Sequence, residues 1–268
     1  MSEYGLLQDT EDLAQHYEAV NADRQFRAGL SLIDDYLKIR EGEDVLDVGT
    51  GTGQLAEYVA SRVGPKGRVF GIDPLPLRIE FAAKKARPNL HFAVGDAYDL
   101  GLFADATFDV VYLNAVLHWL NEKRQPLREF ARVLKPGGRI GIMAGAKGQG
   151  GELGEIRKRV LSREPFNGYP ETTGQPHPVT ADELTDLLRE TGFVVDTIDV
   201  LPNQQMFATP QALIDYIEAS SFGNFLGHLP FDLKERASRE ISIELARLAT
   251  SEGVAQGGAR LFACATRC

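Results

Sequence analysis

The 268-residue sequence predicts an α/β protein in which helices cover both faces of a parallel sheet. Short apolar runs, of which VLDV at 45–48 is the first, alternate along the chain with amphipathic helical stretches. The breaks between them hold turn residues, as in KPGG at 135–138, which is a strong stop signal for a helix. This alternation is typical of a chain that returns to the same sheet after each covering helix.

The predicted elements follow one another in a regular order from residue 44. Strands are expected, in chain order, at 44–48, 68–72, 90–94, 108–113, 139–144, 193–200 and 260–266. Helices are expected at about 52–63, between Pro74 or Pro76 and Pro88, around Leu127, at 152–162 and after Thr180. Thr180 and Glu183 form a capping-box pattern at the start of the last of these helices.

Two segments lie outside this rhythm, and both are predicted to be helical parts of a single domain, 1–268. Residues 1–40 carry apolar side chains at helical spacing, including Tyr17. Residues 202–258 hold two helical stretches, 210–220 and 231–250, on either side of SFGNFLGHLP. Because that excursion is too long for a hairpin, it is predicted to form a lid over the ligand edge of the sheet before the last strand.

The composition disfavours several classes of partner. A net charge of −9 without a basic run disfavours nucleic acid, which requires clustered Lys and Arg. No run of ~18 apolar residues predicts a membrane span, and the acidic N-terminal stretch lacks the layout of a signal peptide. The two cysteines, Cys264 and Cys268, lack further ligands nearby for a metal. We therefore expect a cytoplasmic protein without a metal, and no pattern predicts an oligomeric state.

The stretch VLDVGTGTGQ at 45–54 predicts a nucleotide site, because glycines between a strand and a helix let the backbone approach a ligand. A P-loop is disfavoured because the loop has no lysine. The G-x-G-x-x-A pattern of NAD-binding loops does fit from Gly51 to Ala56. Asp73, about twenty residues further on, can bind the ribose of any adenosine ligand. The loop alone therefore leaves the nucleotide open.

The acidic residues at the strand ends favour a cationic cofactor. Asp47 precedes the first glycine, and a carboxylate there would repel a pyrophosphate but can face an ammonium or a sulfonium group. Asp96 follows the third strand, where it can accept from an adenine amino group while the Ala97 N–H meets a ring nitrogen. Asn114 and Ala115 follow the fourth strand, where we expect the reacting end of the ligand.

Several motifs together resemble the class I S-adenosylmethionine-dependent methyltransferases, of the type 11-like kind. VLDVGTGTG, GPKGRVFGID, GDA, FDVVYLNAVLHWL and RVLKPGG occur in order within about 44–142, and TADELTDLLRETGF extends the likeness to about 200. The resemblance implies a Rossmann-like seven-stranded sheet whose last strand is antiparallel. The HW pair at 118–119 and the late helical excursion are loosely similar to the trans-aconitate and malonyl-carrier-protein carboxyl methyltransferases.

The resemblance also implies a cofactor, S-adenosyl-L-methionine, and a set of binding residues. Its methionine end is assigned to Asp47 and the loop, the ribose to the end of the second strand, the adenine to the end of the third, and a covering position to a tyrosine of the first helix. The predicted cofactor-binding residues are Tyr17, Asp47, Gly49, Thr50, Gly51, Gly53, Asp73, Pro74, Asp96, Ala97, Asn114 and Ala115.

The predicted reaction is methyl transfer to an oxygen, from a carboxylate or hydroxyl, or to another nucleophile of a small organic molecule. Catalytic candidates are His118 and Tyr17, and substrate-binding candidates are Trp119, Phe222, Phe225 and His228. A carboxylate acceptor needs no general base, whereas an alcohol or phenol does. Two alternatives stay open: a cyclase or scaffold enzyme that binds S-adenosylmethionine without methyl transfer, and an NAD-dependent oxidoreductase.

Overall fold

The computed structural model describes residues 22–148, 151–170, 176–221 and 224–268, and these form two compact units. The sheet unit comprises Ala22–Ala146, Pro176–Leu201 and Arg260–Cys268. The helical unit comprises the described parts of Lys147–Gln175 and Pro202–Ala259. The late helical excursion thus groups with the segment after residue 146. The single-domain and lid assignments concern the arrangement of the units and stay predictions.

The sheet unit contains a seven-stranded sheet with the order β3-β2-β1-β4-β5-β9-β6. Its strands are β1 Asp44–Val48, β2 Arg68–Asp73, β3 Leu90–Val94, β4 Phe108–Asn114, β5 Leu134–Gly145, β6 Phe193–Pro202 and β9 Ala259–Arg267. The pairs β1–β2, β1–β4, β2–β3 and β4–β5 are parallel, whereas β9 runs antiparallel to β5. This topology confirms the predicted Rossmann-like fold with an antiparallel last strand.

The helices lie between these strands and in the helical unit. They are α1 Ala22–Ser31, α2 Gln54–Val63, α3 Pro76–Ala83, α4 Arg124–Val133, α5 Glu152–Leu161, α6 Ala181–Glu190, α7 Pro210–Ser220 and α8 Phe231–Ala246. A π-helical turn, Leu32–Leu37, continues α1. The capping box is confirmed, because Thr180 Oγ1 accepts the Glu183 N–H at 3.1 Å and the Glu183 carboxylate accepts the Thr180 N–H at 2.9 Å. None of the described helices is long and apolar enough to cross a membrane.

The core of the sheet unit lies around β1 and β4. Four consecutive β4 residues, 110–113, are fully buried, as expected for a central parallel strand with both faces covered. Helix α2 packs Leu55, Val59 and Val63 against this region. The helical unit has a separate apolar core, built mainly by α5, α7 and α8. Each unit therefore buries its own set of side chains.

Two boundaries and one pair of strands show where the structure departs most from the sequence prediction. Strand β5 begins at Leu134 rather than 139, since Leu134 already pairs with Phe108 before the register shifts. Helix α8 ends at Ala246 rather than 250, because Thr250 turns back to bond with Gly253. A short antiparallel pair in the helical unit, β7 Gln205–Phe207 with β8 Val254–Gln256, was not predicted. Three-residue strands are too short to show an alternation of apolar and polar residues.

Candidate active site

The predicted site residues lie at the point where the strand order of the sheet reverses. Chain order runs outward from β1 through β2 to β3 on one side, and on the other side β4 and β5 follow. Ligands of open α/β sheets bind at such a switch point, beyond the carboxyl ends of the strands. Here the β1 end is flanked on both sides, because Val48 pairs with Ile72 of β2 and with Leu113 of β4.

The loop after β1 owes its shape to glycine. Gly49, Gly51 and Gly53 have φ values of +73°, +56° and +80°, a region that side-chain-bearing residues rarely adopt. The N–H groups of Gly49 and Thr50 both donate to Ile72 O, at 2.8 and 2.9 Å, which fixes the loop to β2. A Cβ on Gly49 would lie 2.3 Å from Val116 Cγ2. The backbone thus runs where no side chain fits.

The loop leads directly into α2 and presents its N-terminal end. Helix α2 begins at Gln54, and its N-cap position is Gly53, which has no side chain to cap the first turn. The N–H groups of a first helical turn carry positive partial charge and favour an anionic group. This end can therefore meet a carboxylate of the ligand.

Asp47 is a buried carboxyl group beneath this loop. It is 2% exposed and accepts a hydrogen bond from Thr50 Oγ1 at 2.8 Å. Burial raises its pKa to about 7, the nearby hydroxyls of Thr50 and Tyr112 oppose that rise, and the charge of Asp73 raises the pKa further. The same burial, together with Asp47, holds the pKa of Tyr112 well above its usual value. Asp47 is therefore poised to gain or lose a proton near neutral pH.

Asp73 ties the ends of β1 and β2 together. Its Oδ2 accepts the Gly51 N–H at 2.9 Å and its Oδ1 accepts the Leu75 N–H at 3.0 Å. These two bonds fix the orientation of the carboxylate, a group that accepts hydrogen bonds from hydroxyls. Pro74 follows as a half-buried residue and directs the chain toward α3.

The end of β3 forms a smaller turn. The half-buried Asp96 accepts the Tyr98 N–H at 2.8 Å, and its carbonyl oxygen accepts the Asp99 N–H at 3.2 Å. Ala97 is 4% exposed, so it is buried within this turn. This turn gives Asp96 a defined orientation at the same edge of the sheet as Asp47 and Asp73.

The end of β4 combines a strained residue with an incompletely paired amide. Ala115 has φ +62°, and its N–H donates to Met143 O at 2.8 Å. Asn114 donates from Nδ2 to Gln25 O at 3.1 Å, while its Oδ1 is buried and has no hydrogen-bond partner within the described residues. Backbone strain that the surrounding structure maintains is concentrated at functional sites.

His118 and Trp119 lie just beyond, in a 3₁₀ turn, Leu117–Trp119. Burial lowers the pKa of His118 to about 4, and the charge of Lys123 lowers it further. Its Nδ1 has no hydrogen-bond partner in the part of the chain that the structure describes. Its ring lies 5.1 Å from the Trp119 ring, and its carbonyl oxygen accepts the His177 N–H at 2.6 Å. His118 is therefore neutral at neutral pH.

Comparison with known proteins identifies the family. A family described as "Methyltransferase domain" matches residues 46–142. An uncharacterized methyltransferase of Mycobacterium tuberculosis is 32% identical over 200 residues, which cover 70% of this chain and 68% of that protein. The chain belongs to the class I S-adenosylmethionine-dependent methyltransferases.

Other relatives of this chain match over shorter segments. A demethylmenaquinone methyltransferase of Lactobacillus johnsonii is 37% identical over 112 residues, or 40% of this chain and 46% of that one. The O-methyltransferase cnsE of Penicillium expansum is 34% identical over 170 residues, or 61% of this chain and 56% of that one. The chain thus spans about half the length of these curated relatives.

Solved structures share the fold of this chain at low sequence identity. A methyltransferase in complex with the Haloferax volcanii Trm112 methyltransferase activator aligns with a TM-score of 0.60 and 20% identity, over 99% of this chain and 97% of that one. The [4+2]-cyclase SpnF aligns with a TM-score of 0.57 and 21% identity, over 90% of this chain and 81% of that one. At these identities the likeness concerns the fold alone.

The cofactor of this methyltransferase family, S-adenosylmethionine, fits the groups at the strand ends. The glycines of the loop let its backbone approach a ligand closely. The uncapped first turn of α2 suits the cofactor's carboxylate, and Asp47 suits its cationic groups. Asp73 and Asp96 supply acceptors for hydroxyl and amino groups.

The remaining predicted residues are Tyr17, Phe222, Phe225 and His228. Tyr17 and Phe222 fall outside the described residues, so their roles stay predictions. Phe225 and His228 belong to the helical unit. Phe225 is 7% exposed, and the Arg157 guanidinium lies 5.1 Å from its ring centroid. Its packing within that core gives Phe225 a structural role beside the predicted contact with substrate.

Sequence reasoning overlooked Tyr112, which lies on β4 opposite Asp47. In the sequence it is part of an apolar run, and nothing local shows that its hydroxyl faces a carboxyl group. The order of the motifs does place β1 beside β4 in the family's sheet. Aligning the two strands by their ends, Val48 with Leu113, would have placed Tyr112 next to Asp47.

Proposed function

We propose that this chain transfers a methyl group from S-adenosylmethionine to an oxygen, from a carboxylate or a hydroxyl, or to another nucleophile of a small organic molecule. The observation that carries the proposal is the buried Asp47 beneath a loop of three left-handed glycines at the switch point of the sheet. A buried carboxyl there suits a cation, and the family supplies a cofactor with a sulfonium centre.

Each residue of the site has a task in binding and orientation. Asp47 and the loop with Gly49, Thr50, Gly51 and Gly53 hold the methionine end, Asp73 with Pro74 the ribose, and Asp96 with Ala97 the adenine. Asn114 and Ala115 border the reacting end. The bound cofactor supplies an electrophilic methyl group with a neutral leaving group. Holding the acceptor in line with that methyl group can contribute up to ~7–11 kcal/mol of barrier reduction.

The electrostatics of His118 bear on the class of acceptor. A base whose pKa lies at about 4 is neutral at pH 7 but accepts a proton only weakly. This supports an acceptor that arrives already ionised, such as a carboxylate, over an alcohol that must lose a proton. Under this proposal His118 and Trp119 shape the acceptor pocket, and Tyr17, Phe222, Phe225 and His228 remain candidates for contacts with the cofactor or acceptor.

A labelled-methyl assay tests the proposal. The purified chain is incubated with methyl-labelled S-adenosylmethionine and a panel of aliphatic and aromatic carboxylic acids, hydroxyaromatics and naphthoquinols. The last two groups are included because relatives are named as an O-methyltransferase and a demethylmenaquinone methyltransferase. We expect S-adenosylhomocysteine to form with at least one acceptor and a carboxylic acid to give the fastest transfer.

Binding experiments separate the alternatives. Titration with S-adenosylhomocysteine and with NADH is expected to show binding of the first only. Binding of NADH alone would overturn the proposal in favour of an oxidoreductase. Conversion of an added polyene without formation of S-adenosylhomocysteine would indicate a cyclase that uses the cofactor as a scaffold.

A further inference from the structure

Asp47 and Tyr112 form a buried pair on adjacent central strands. They are register partners of the parallel β1–β4 ladder, and their exposed fractions are 2% and 0%. The other β4 residues around Tyr112, such as Val111 and Leu113, are apolar and also fully buried. A phenylalanine would fill the same space without bringing a polar atom into the core, so the hydroxyl needs an explanation.

The Tyr112 hydroxyl is directed at Asp47. Its proximity to the carboxyl group lowers the pKa of Asp47 and raises that of Tyr112. In the described part of the chain this hydroxyl makes no other hydrogen bond, and the contact with Asp47 itself falls outside ordinary hydrogen-bond geometry. A buried hydroxyl without a good partner destabilises the folded protein. A small adjustment of the pair, such as a bound ligand can cause, would complete the bond.

The groups that face Asp47 come from three elements. Thr50 of the loop donates to Oδ2 at 2.8 Å, Tyr112 approaches from β4, and the negative charge of Asp73 acts from the end of β2. None of these three groups is a cation, so an ionised Asp47 lies buried without a compensating positive charge among them. Burial accordingly raises the pKa of Asp47 to about 7, where both protonation states are populated at neutral pH.

A tyrosine hydroxyl can serve both protonation states of Asp47. It can accept a hydrogen bond from a protonated carboxyl and, after rotation of its O–H, donate one to an ionised carboxylate. Thr50 can donate to Oδ2 in either state. Asp47 and Tyr112 therefore have one hydrogen-bonded arrangement when Asp47 is protonated and another when Asp47 is ionised.

We propose that Asp47 holds a proton that it shares with Tyr112 and releases to solvent when the cationic cofactor binds, with Tyr112 as the positioning residue that stabilises both states. The proposal rests on the proposed function, since it requires S-adenosylmethionine as the ligand. When the cofactor binds, the O–H bond of the Asp47 carboxyl breaks and the proton passes to the buffer. The cofactor's positive charge then takes the proton's place beside the carboxylate. Cofactor affinity should therefore rise with pH through neutrality.

Isothermal titration calorimetry measures the released proton directly. S-adenosylmethionine is titrated into the full chain at pH 7 in buffers of different ionisation enthalpy. We expect release of about half a proton at pH 7, near zero at pH 9 and close to one at pH 5.5. The variant Asp47→Asn provides the baseline for other groups, including the amino group of the cofactor.

Two tyrosine variants test the role of Tyr112. In Tyr112→Phe, Asp47 loses a hydrogen-bond donor, so we expect the pH midpoint of proton release to move up by about one unit. Tyr58→Phe is the matched control, because it removes a hydroxyl that donates to Asp34 at 2.7 Å, away from the glycine loop. Its midpoint should stay at the wild-type value.

Infrared difference spectroscopy gives a readout that does not depend on the affinity of any variant. The carbonyl stretch of a protonated carboxyl should disappear when S-adenosylmethionine is added to the wild-type protein, and this band should be absent in Asp47→Asn. Binding of the cofactor without proton release or loss of the band would overturn the inference and leave the proposed function intact. If the pH midpoint of proton release is unchanged in Tyr112→Phe, Tyr112 has no part in the proton release. Failure of the wild-type chain to bind the cofactor would overturn both.

Discussion

The sheet unit and the helical unit differ in what they bury. The sheet unit buries polar side chains at its strand ends, among them Asp47, Thr50 and Asp73. In the described helical unit the buried set is apolar apart from Asn224. Polar side chains at strand ends stand out in the sequence because they follow apolar runs, whereas an apolar core tolerates many sequences. The residues proposed to bind the cofactor could therefore be identified in the sequence, whereas the acceptor specificity that we expect from the helical unit could not.

Truncation of Phe225 tests whether the helical unit is primarily a packed core. Phe225→Ala removes a 7% exposed ring that lies beneath Arg157, and such truncations cost about 3–5 kcal/mol. We expect a loss of this size in the free energy of unfolding, measured with urea. Phe225→Leu keeps most of the volume and should cost less than half as much.

The same variants test the predicted contact of Phe225 with substrate. If the ring touches the acceptor, Phe225→Leu should raise the acceptor KM several-fold while leaving the Kd of S-adenosylhomocysteine unchanged. A KM equal to that of the wild type, measured on folded Phe225→Leu, would confine Phe225 to the core.

In the glycine loop, by contrast with Phe225, adding a single methyl group is expected to lower both stability and cofactor affinity. Gly49→Ala must adopt φ +73° and place a methyl group 2.3 Å from Val116 Cγ2, on a branched side chain that cannot rotate freely. We expect a loss of about 3 kcal/mol in unfolding free energy and at least a tenfold weaker binding of S-adenosylhomocysteine.

Gly42→Ala is the matched control for this substitution. Gly42 has φ +86°, but a Cβ there would meet nothing within 4 Å. Gly42→Ala should therefore lower the free energy of unfolding by the backbone strain alone, about 1–2 kcal/mol, and leave the affinity for S-adenosylhomocysteine unchanged. Equal losses of unfolding free energy in the two variants would mean that the Val116 side chain moves aside and that its close approach to Gly49 does not affect stability.

How far the sequence predicts this molecule depends on whether the signal is local. The strands β1 to β4 were predicted within a residue at either end, because buried parallel strands are apolar runs bounded by turn residues. The early start of β5 at Leu134 was missed, since KPGG reads as a turn although Leu134 before it already pairs with Phe108. The partnership of Tyr112 with Asp47 depends on the register between strands far apart in sequence.

The protonation of Asp47 predicts an unusual dependence of stability on pH. Its folded pKa of about 7 lies above the unfolded value of 3.8, so the folded protein binds the extra proton between these values. In the absence of cofactor, its contribution is fully present below pH 3.8 and is lost as the pH rises to about 7, by up to about 1.4 kcal/mol per pH unit.

Comparison with Asp47→Asn isolates this contribution from the other carboxyl groups. The difference in unfolding free energy between the variant and the wild type should grow from pH 4 to pH 7 and then stay constant, with the variant the more stable at pH 8. The same variant should bind S-adenosylmethionine more weakly than the wild type, at concentrations that calorimetry still reaches. A pH-independent difference would show that Asp47 ionises in the folded protein as it does in the unfolded chain.

The smallest expected effects come from the two alanines with positive φ. Ala106, at φ +53°, is exposed, whereas Ala115, at φ +62°, packs against the core cluster at the end of β4. Ala106→Gly should raise the free energy of unfolding by about 0.5 kcal/mol, because the relief of backbone strain exceeds the cost of the added entropy of the unfolded chain. Ala115→Gly also loses a partly buried methyl group, worth about 0.8 kcal/mol, and should be neutral or slightly less stable. Thermal unfolding measures both.

The informative difference between these alanines lies in binding. If Ala115 holds the β4 end in position for the cofactor, Ala115→Gly should weaken binding of S-adenosylhomocysteine two- to threefold, because glycine samples other backbone conformations there. Ala106→Gly should leave the Kd unchanged. Equal affinities in both variants would mean that the hydrogen bond from the Ala115 N–H to Met143 O, at 2.8 Å, fixes this backbone without the methyl group. The predicted role of Ala115 would then depend on its main chain, which the hydrogen bond to strand β5 holds in place whatever the residue type.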